Sequence, residues 1–199
     1  MLNTLRMRII GGEARRTVLR SPRDSRTRPT ADRVREAVFD ILGPIPRAGS
    51  PAGDPADGGP RVLDLFAGTG ALGIEAVSRG ASFAVLVERA PPCAALCRAN
   101  AERARLGNRV SVRESDVSRA LIALERSGER FDWIFCDPPY ATGDLDATLR
   151  RLGRGSLLAP GGVVIAEHSP RSRPADAHGA LTLCDRRRWG DTEVSFYRA

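Results

Sequence analysis

The sequence contains no lysine, so all 31 of its permanently basic side chains are arginines. It also lacks any apolar run near the roughly 20 residues that a membrane-spanning helix needs. The N-terminus is rich in arginine, but no apolar stretch of about 7–15 residues follows it, as a secretory signal would require. These absences argue against a membrane protein and a secreted one, and we expect a cytoplasmic protein.

Cysteine and histidine are also scarce, with four and two copies. Cys93 and Cys97 have the spacing of one helix face, but no nearby pair of cysteines or histidines completes a zinc site. We expect all four cysteines to be small, buried apolar residues. His168 and His178 have no evident partner, and we expect them at the surface or at a helix end. The sequence therefore predicts neither a disulfide framework nor a metal site.

The positive charge is concentrated at one end of the chain. The 199 residues, 42% of them hydrophobic, suit one globular domain with a small appendage, and the formal net charge is +7. Residues 1–35 hold ten arginines against three acidic residues, while the remainder holds 21 of each. A basic arm on a neutral domain is the pattern expected for a polyanionic partner such as a nucleic acid. A solvated, charged surface is the alternative.

The N-terminal part predicts a hairpin followed by a helix. In residues 7–20, two apolar segments flank Gly11-Gly12, which is a turn signal. Thr30 has the character of a helix N-cap, and apolar residues follow at helical spacing up to about Gly43. Residues 43–60 are rich in glycine and proline and predict a linker. We therefore divide the chain into a basic appendage of hairpin and helix, expected to bind nucleic acid, a linker, and a main domain, at residues 1–42, 43–60 and 61–199.

Beyond the linker, strand-like and helix-like segments alternate. Strands are predicted at 61–66, 82–88, 109–116, 131–136 and 161–168, with helices at 70–80, 91–106, 117–127 and near 144–152. This alternation favours an α/β fold with a parallel sheet covered by helices on both faces. The last two strand-like segments have no helix between them, and Gly190-Asp191-Thr192 resembles a hairpin turn. They predict one antiparallel strand in a mostly parallel sheet.

Three glycines follow the first strand of this domain. Gly68, Gly70 and Gly73 match the pattern G-x-G-x-x-G between a strand and a helix. Glycine lets the backbone approach a ligand closely, and the helix N-terminus offers free N–H groups. The pattern alone does not distinguish NAD, FAD and S-adenosylmethionine enzymes. It makes the loop, with Phe66 and Ala67, a candidate cofactor-binding segment.

Acidic residues near strand ends narrow the choice of cofactor. Glu88 closes the second strand, where a carboxylate can hold both ribose hydroxyls of an adenine nucleoside. Asp116 closes the third strand, where a carboxylate could accept a hydrogen bond from the adenine amino group. Asp64 precedes the glycines, and a carboxylate there suits a cationic amino-acid group better than a pyrophosphate. Together they favour S-adenosylmethionine over NAD.

Residues 131–143, FDWIFCDPPYATG, begin as a buried strand and then stop at two prolines. Suppose that the methyl acceptor is an exocyclic amine on a nucleic-acid base. Such an amine is a poor nucleophile, because its lone pair is delocalised into the ring. Asp137 and the carbonyl of Pro138 could accept its N–H groups and localise that lone pair, with Pro139 helping to fix the backbone. Tyr140 offers a flat face on which a flipped base can stack. These four residues are the candidate catalytic set.

These motifs resemble those of the RsmD-like family of bacterial methyltransferases. The resemblance covers nearly the whole chain and rests on MRIIGGEARR (7–16), TRPTADRVREAVFDIL (27–42), DLFAGTGALGIEAVSRGA (64–81), DPPY (137–140) and the GDT near the end. Members of that family use S-adenosylmethionine to methylate the N2 amine of a guanine in 16S ribosomal RNA of the small subunit. The resemblance implies a Rossmann-like, seven-stranded methyltransferase sheet with one antiparallel strand and an N-terminal basic hairpin.

The resemblance also implies roles for individual residues. By similarity, Asp137, Pro138 and Tyr140 hold the guanine. The cofactor pocket is lined by Asp64, Gly68, Gly70, Glu88 and Asp116, and Thr30 lies near the methionine end of the cofactor. We expect the ribosomal RNA, in a small subunit or an assembly intermediate, to contact arginines of the N-terminal arm: Arg8, Arg15, Arg16, Arg20 and Arg28. A monomer is expected.

Three other functions compete with this one. A DNA methyltransferase acting on the amine of adenine or cytosine uses the same tetrapeptide, but the chain has no obvious large target-recognition domain. A non-catalytic RNA-binding assembly factor would not need Asp137, Glu88 and the glycine loop intact. An NAD-linked oxidoreductase is disfavoured by Asp64 and by the Asp-Pro-Pro-Tyr turn.

Overall fold

The structure is a computed structural model that describes residues 7–21, 29–43, 58–139 and 144–199. Of residues 29–31 it describes the backbone alone. Arg28, Tyr140 and most of the predicted linker, residues 44–57, lie outside the described residues. The division of the chain at this linker stays a prediction.

The described elements alternate along the chain as the sequence predicts. The helices are α1 (Pro29–Leu42), α2 (Ala71–Arg79), α3 (Pro91–Arg103), α4 (Val117–Arg126) and α5 (Asp144–Leu152), with a short 3₁₀ turn at Gly107–Arg109. The strands are β1 (Arg61–Leu65), β2 (Phe83–Glu88), β3 (Val110–Glu114), β4 (Phe131–Cys136), β5 (Leu158–His168), β6 (Ala177–His178), β7 (Leu181–Trp189) and β8 (Thr192–Arg198). Among the described residues, no helix is long and apolar enough to cross a membrane.

All eight described strands belong to one sheet, in the order β3-β2-β1-β4-β5-β8-β7-β6. The first five of these are parallel, and β8 inserts antiparallel to β5. Trp189 pairs with Thr192, which confirms the predicted turn at 190–192. The predicted total of seven strands is wrong by one, because the two-residue strand β6 adds an antiparallel edge next to β7. Two residues are too few to show the alternation from which a strand is predicted.

The sheet is covered on both faces, which explains why its central strands read as continuous apolar runs. One core contains Val62 of β1 together with apolar side chains of α1, α2 and α3. The other core contains Leu63 and Leu65 of β1 together with side chains of α4 and α5. Successive residues of a strand point to opposite faces, so β1 contributes to both cores. The ends of these buried strands are therefore held firmly where the site is built.

The N-terminal segment 7–20 reverses direction as predicted but forms no regular strands. Its two arms join through a single antiparallel bridge between Arg8 and Val18, with backbone hydrogen bonds from Ile9 to Thr17 and from Leu19 to Met7. The predicted N-cap is also wrong, since α1 already begins at Pro29 and Thr30 lies in its first turn. Proline is favoured at the first helical position, because its missing N–H is not needed there.

Buried polar side chains of α2 hold this segment in place. The carboxylate of Glu75 is fully buried and accepts hydrogen bonds of 2.8 Å from the backbone N–H groups of Ile10 and Gly11. Ser78 accepts from the N–H of Ala14 and donates to the carbonyl of Gly11. A buried carboxylate without these donors would be costly. The segment is therefore docked along α2 and does not project into solvent.

The expectations for the cysteines and histidines are partly wrong. Cys97 and Cys136 are buried as predicted, but Cys93 is partly exposed and Cys184 is exposed. Both histidines are buried, and not at the surface or at a helix end as expected. His168 Nε2 lies 2.8 Å from the hydroxyl oxygen of Ser195, and the ring of His178 packs edge-on against Tyr197.

Candidate active site

The carboxyl ends of β1, β2 and β4 meet at one edge of the sheet. Leu65 at the end of β1 is in register with Val87 of β2 and with Cys136 of β4. The strands are parallel, so the residues that follow them emerge on the same edge. This places the glycine loop, Glu88 and Asp137 side by side, as ligand sites in open α/β sheets are built.

The glycine loop leaves β1 through a left-handed turn. Phe66 has a φ of 66°, which is costly for a residue with a side chain, and Gly68 and Gly70 have φ of 56° and 78°. The N–H of Ala67 donates to the carbonyl of Val87 at 2.9 Å, which ties the loop to β2. The loop is thus held in a strained conformation, and such strain is concentrated at ligand-binding and active sites.

Asp64 and Gly73 join β1 to α2 beneath this loop. The N–H of Gly73 donates to Asp64 Oδ2 at 2.9 Å, and a Cβ at Gly73 would lie 2.1 Å from a methyl carbon of Leu86. Gly73 is therefore needed for close helix–strand packing. Burial raises the pKa of Asp64 to about 7, and the charge of Glu88 contributes. Asp64 also faces a cavity, where a cationic group would favour its charged form.

Glu88 and Asp116 have structural partners in addition to their place in the site. Glu88 accepts hydrogen bonds of 2.8 Å from the N–H groups of Gly68 and Ala90, so it fixes the glycine loop. Asp116 does not end β3, which stops at Glu114; it caps α4 by accepting from the N–H of Arg119 at 3.0 Å. A carboxylate has room for further donors. Both acids line the same cavity.

The larger cavity of the site has a volume of about 820 Å³ and runs along this edge of the sheet. It brings together Phe66, Gly68, Glu88, Asp116, Asp137, Pro138 and Pro139. Its far wall is the face of α5 that carries Asp144, Thr148 and Arg151. These seven sequence-predicted residues thus share one space, whereas Asp64, Ala67 and Gly70 do not line it.

A smaller cavity of about 240 Å³ lies between α1 and the glycine loop. Met7, Val34 and Arg35 of the N-terminal part form one wall, and Asp64 and Ala67 form the other. Four residues line both cavities: Phe66, Gly68, Asp137 and Glu167. The two cavities therefore adjoin at the end of β4, and the docked N-terminal part completes the site.

Asp137 stands where the two cavities adjoin. Asp137 as a whole residue is partly exposed, Pro138 beside it is buried and Pro139 is exposed. Burial holds the pKa of Asp137 well above its usual range, and the negative charges of Glu167 and Asp64 raise it further. A carboxylate with a raised pKa is a better proton acceptor, and such groups cluster at functional sites.

Sequence reasoning missed Arg35, Glu167 and Asn100. Arg35 is 5% exposed and lies on the apolar face of α1 between Val34 and Val38, a position where an arginine is unexpected. Glu167 follows an apolar run in β5, so it has the same signal as Glu88: an acid near the end of a buried strand. No local signal marks Asn100, because its partners lie in distant segments.

The predicted RNA-binding arginines lie apart from the two cavities. Arg8, Arg15, Arg16 and Arg20 are all exposed on the docked segment, and none of them lines either cavity. Arg20 and Met7 lie at the end of the segment near the glycine loop, since Asn100 bonds both Arg20 and Thr69, and Thr69 bonds Met7. Arg15 and Arg16 lie at the turn, which packs near Ser78 of α2.

The walls of the larger cavity fit an adenosyl cofactor. Val87, Val117 and Leu121 give it an apolar side on which a purine can lie. Glu88 and Asp116 add carboxylates, which accept hydrogen bonds from hydroxyl and amino groups. The smaller cavity places the buried carboxyl of Asp64 where a cationic amino-acid group would be stabilised.

Comparisons with known proteins find methyltransferases among the relatives of this chain. A protein-family model described as Conserved hypothetical protein 95 matches residues 7–198. The chain is 34% identical over 192 residues to the putative rRNA methyltransferase YlbH of Bacillus subtilis, covering 96% of this chain and 98% of that protein. It is 35% identical over 161 residues to the ribosomal RNA small subunit methyltransferase D of Escherichia coli, covering 81% of this chain and 74% of that protein.

Solved structures share the fold. The putative methyltransferase yhhF from Escherichia coli aligns with a TM-score of 0.75 at 30% identity, over 96% of this chain and 97% of that chain. The 16S rRNA N2 G1207 methyltransferase RsmC of Thermus thermophilus, in complex with AdoMet and guanosine, aligns with a TM-score of 0.64 at 25% identity, over 87% of this chain and 44% of that chain. These matches confirm the fold predicted from the sequence, and the chain belongs to the RsmD-like family of S-adenosylmethionine-dependent methyltransferases.

Proposed function

We propose that this chain transfers a methyl group from S-adenosylmethionine to the exocyclic N2 amine of a guanine in 16S ribosomal RNA of the small subunit. One observation carries the proposal. Asp137 and Pro138 follow β4 directly beside the glycine loop, so an acceptor for an amine stands next to the predicted cofactor pocket.

Asp137 can prepare the amine for reaction. Its carboxylate accepts an N–H of the base and draws the nitrogen lone pair away from the aromatic ring. The two prolines restrict the backbone, so little freedom is lost when the base is positioned. Tyr140 remains the predicted stacking partner of the flipped base.

Asp137 can also receive the proton that the reaction releases. When bound, S-adenosylmethionine would supply an electrophilic methyl group, and its sulfur would remain as a neutral thioether. The C–S bond breaks, a C–N bond forms, and the amine nitrogen must then lose one proton. The raised pKa of Asp137 makes its carboxylate a suitable acceptor for that proton.

The RNA substrate is supported by charge and by relatives. The arginines of the docked segment are exposed and held on a fixed frame, which suits contact with phosphates. The relatives from Bacillus subtilis and Escherichia coli carry names of ribosomal RNA methyltransferases. The guanine-N2 specificity draws on the Thermus thermophilus neighbour, whose name states that modification.

The test uses tritiated S-adenosylmethionine and three substrates: small ribosomal subunits, naked 16S RNA and duplex DNA. The subunits and RNA come from a strain lacking its own enzyme of this family. After the reaction, the nucleic acid is digested and the labelled nucleoside is identified. We expect N2-methylguanosine from RNA, with Asp137→Asn as the inactive control. Label in N6-methyladenine or N4-methylcytosine of DNA would replace the proposal with a DNA methyltransferase.

A further inference from the structure

A second carboxylate stands beside Asp137 at the end of the neighbouring strand. Cys136, the last residue of β4, is in register with Ala166 of β5, so Asp137 directly after β4 lies beside Glu167 of the parallel strand β5. Neighbouring strands lie about 4.8 Å apart. Both side chains line both cavities, and the charge of Glu167 is close enough to raise the pKa of Asp137. The proposed reaction does not use Glu167.

Recognition of the amine alone does not select guanine. Adenine and cytosine also carry an exocyclic amine, but in each the adjacent ring nitrogen is a hydrogen-bond acceptor. In guanine the ring nitrogen N1 next to the N2 amine carries a hydrogen and is a donor. A site that accepts from both positions therefore distinguishes guanine along its Watson–Crick edge.

We infer that Glu167 accepts a hydrogen bond from N1–H of the target base and makes the site specific for guanine. This inference rests on the proposed guanine-N2 activity. Asp137 then binds the amine and Glu167 the neighbouring ring nitrogen, so two carboxylates on adjacent strands match two adjacent donors. An adenine or cytosine in the same pose would turn a ring lone pair toward a carboxylate, which is repulsive.

Three ribonucleosides separate the two contacts. Guanosine has both donors, inosine has N1–H without the amine, and 2-aminopurine riboside has the amine without N1–H. Their binding to the full-length protein, saturated with S-adenosylhomocysteine, is measured by isothermal titration calorimetry. For the wild type we expect guanosine to bind at least tenfold more tightly than 2-aminopurine riboside, because a hydrogen bond to a charged group is lost.

The variant Glu167→Gln has nearly the same shape and no charge. We expect this variant to bind guanosine and inosine roughly tenfold or more weakly than the wild type does. Its binding of 2-aminopurine riboside should weaken by less than threefold. Asp137→Asn should weaken the binding of guanosine and 2-aminopurine riboside, which carry the amine, and should affect the binding of inosine least. Glu36→Gln, on the exposed side of α1, is the matched control and should change none of the three.

Two results would overturn the inference. One is wild-type binding of guanosine no tighter than that of 2-aminopurine riboside. The other is a Glu167→Gln variant that still binds S-adenosylhomocysteine but whose binding of the three nucleosides is weakened equally, or is not weakened for any of them. If that variant does not fold, Glu167→Asp shortens the same carboxylate and is expected to show the same pattern. The wild-type labelling of small subunits separates the two proposals, because N2-methylguanosine can be formed there even if Glu167 plays no part.

Discussion

The buried side chain of Asn100 donates a hydrogen bond of 2.9 Å to the backbone carbonyl of Thr69 in the glycine loop. The same amide donates to the carbonyl of Arg20, and its oxygen accepts from the N–H of Arg20 at 2.7 Å. One side chain on α3 thus joins the basic N-terminal segment to the loop that borders both cavities. The proposed RNA contacts on that segment and the proposed cofactor pocket would share this support.

Replacing Asn100 by alanine should therefore loosen both the N-terminal segment and the glycine loop. Three backbone groups lose their partner in a partly buried place, which costs about 2–4 kcal/mol of the free energy of unfolding. We expect weaker binding of S-adenosylhomocysteine and faster hydrogen exchange in residues 7–20. Chemical denaturation and exchange mass spectrometry measure these effects. Asn108→Ala, at an exposed position, is the control. Equal stability of the two variants would show that Asn100 is not a support.

The variant Asp137→Asn should lose methyl transfer while keeping cofactor binding. The amide has no charge to accept the released proton, and general-base catalysis is worth about 10²–10⁴ in rate. We expect kcat on small subunits to fall at least hundredfold, with S-adenosylhomocysteine binding within threefold of the wild type. Asp40→Asn, exposed on α1, removes the same charge outside the site. Activity within about tenfold, or 1.4 kcal/mol of barrier, would exclude Asp137 as the acceptor.

The parallel strands, and the placement of the candidate site residues at one sheet edge, could be predicted from the sequence, because both have local signals. Buried central strands are apolar runs, and the glycines after β1 and the prolines after β4 mark where those runs stop. Parallel topology then brings the strand ends together without further information. Asp64, Glu88 and Asp137 were thus predictable as neighbours although 73 residues separate the first from the last.

The remaining features depend on contacts between distant segments. Glu75 has the sequence pattern of an ordinary exposed helix residue, but it is buried because Ile10 and Gly11 donate to it. Arg35 contributes to a cavity only because α1 packs across the glycine loop. Strand β6 exists only because β7 offers it an edge. Such positions have no periodicity of their own, so tertiary packing decides them.

The stability of the protein without cofactor should fall as the pH rises from about 4 to 7. The folded state raises the pKa of Asp64 to about 7 from an ordinary 3.8, so it holds this proton more tightly than the unfolded chain. That stabilisation is complete below the unfolded pKa and is lost as the pH rises through the folded one. The side chain of Asp64→Asn has no such proton. Over this pH range, the free energy of unfolding of the variant should therefore fall less than that of the wild type, and the difference should be as much as ~4 kcal/mol. Denaturation at several pH values, with Asp40→Asn as control, tests this; parallel pH curves would contradict it.

Neutralising the docked basic segment should weaken RNA binding in a salt-dependent way. Arg15, Arg16 and Arg20 are exposed there, and each phosphate contact contributes about 0.7–0.9 to the slope of log K against log salt. Changing all three to alanine should flatten that slope by up to about 2–3, without altering S-adenosylhomocysteine binding. Filter binding of 16S RNA between low and physiological salt measures this slope.

The control is a triple alanine variant of Arg126, Arg154 and Arg188, which are exposed on other parts of the molecule, and it removes the same charge. If both triple variants lower the slope equally, net charge and not the N-terminal segment governs binding; if neither does, the RNA lies elsewhere.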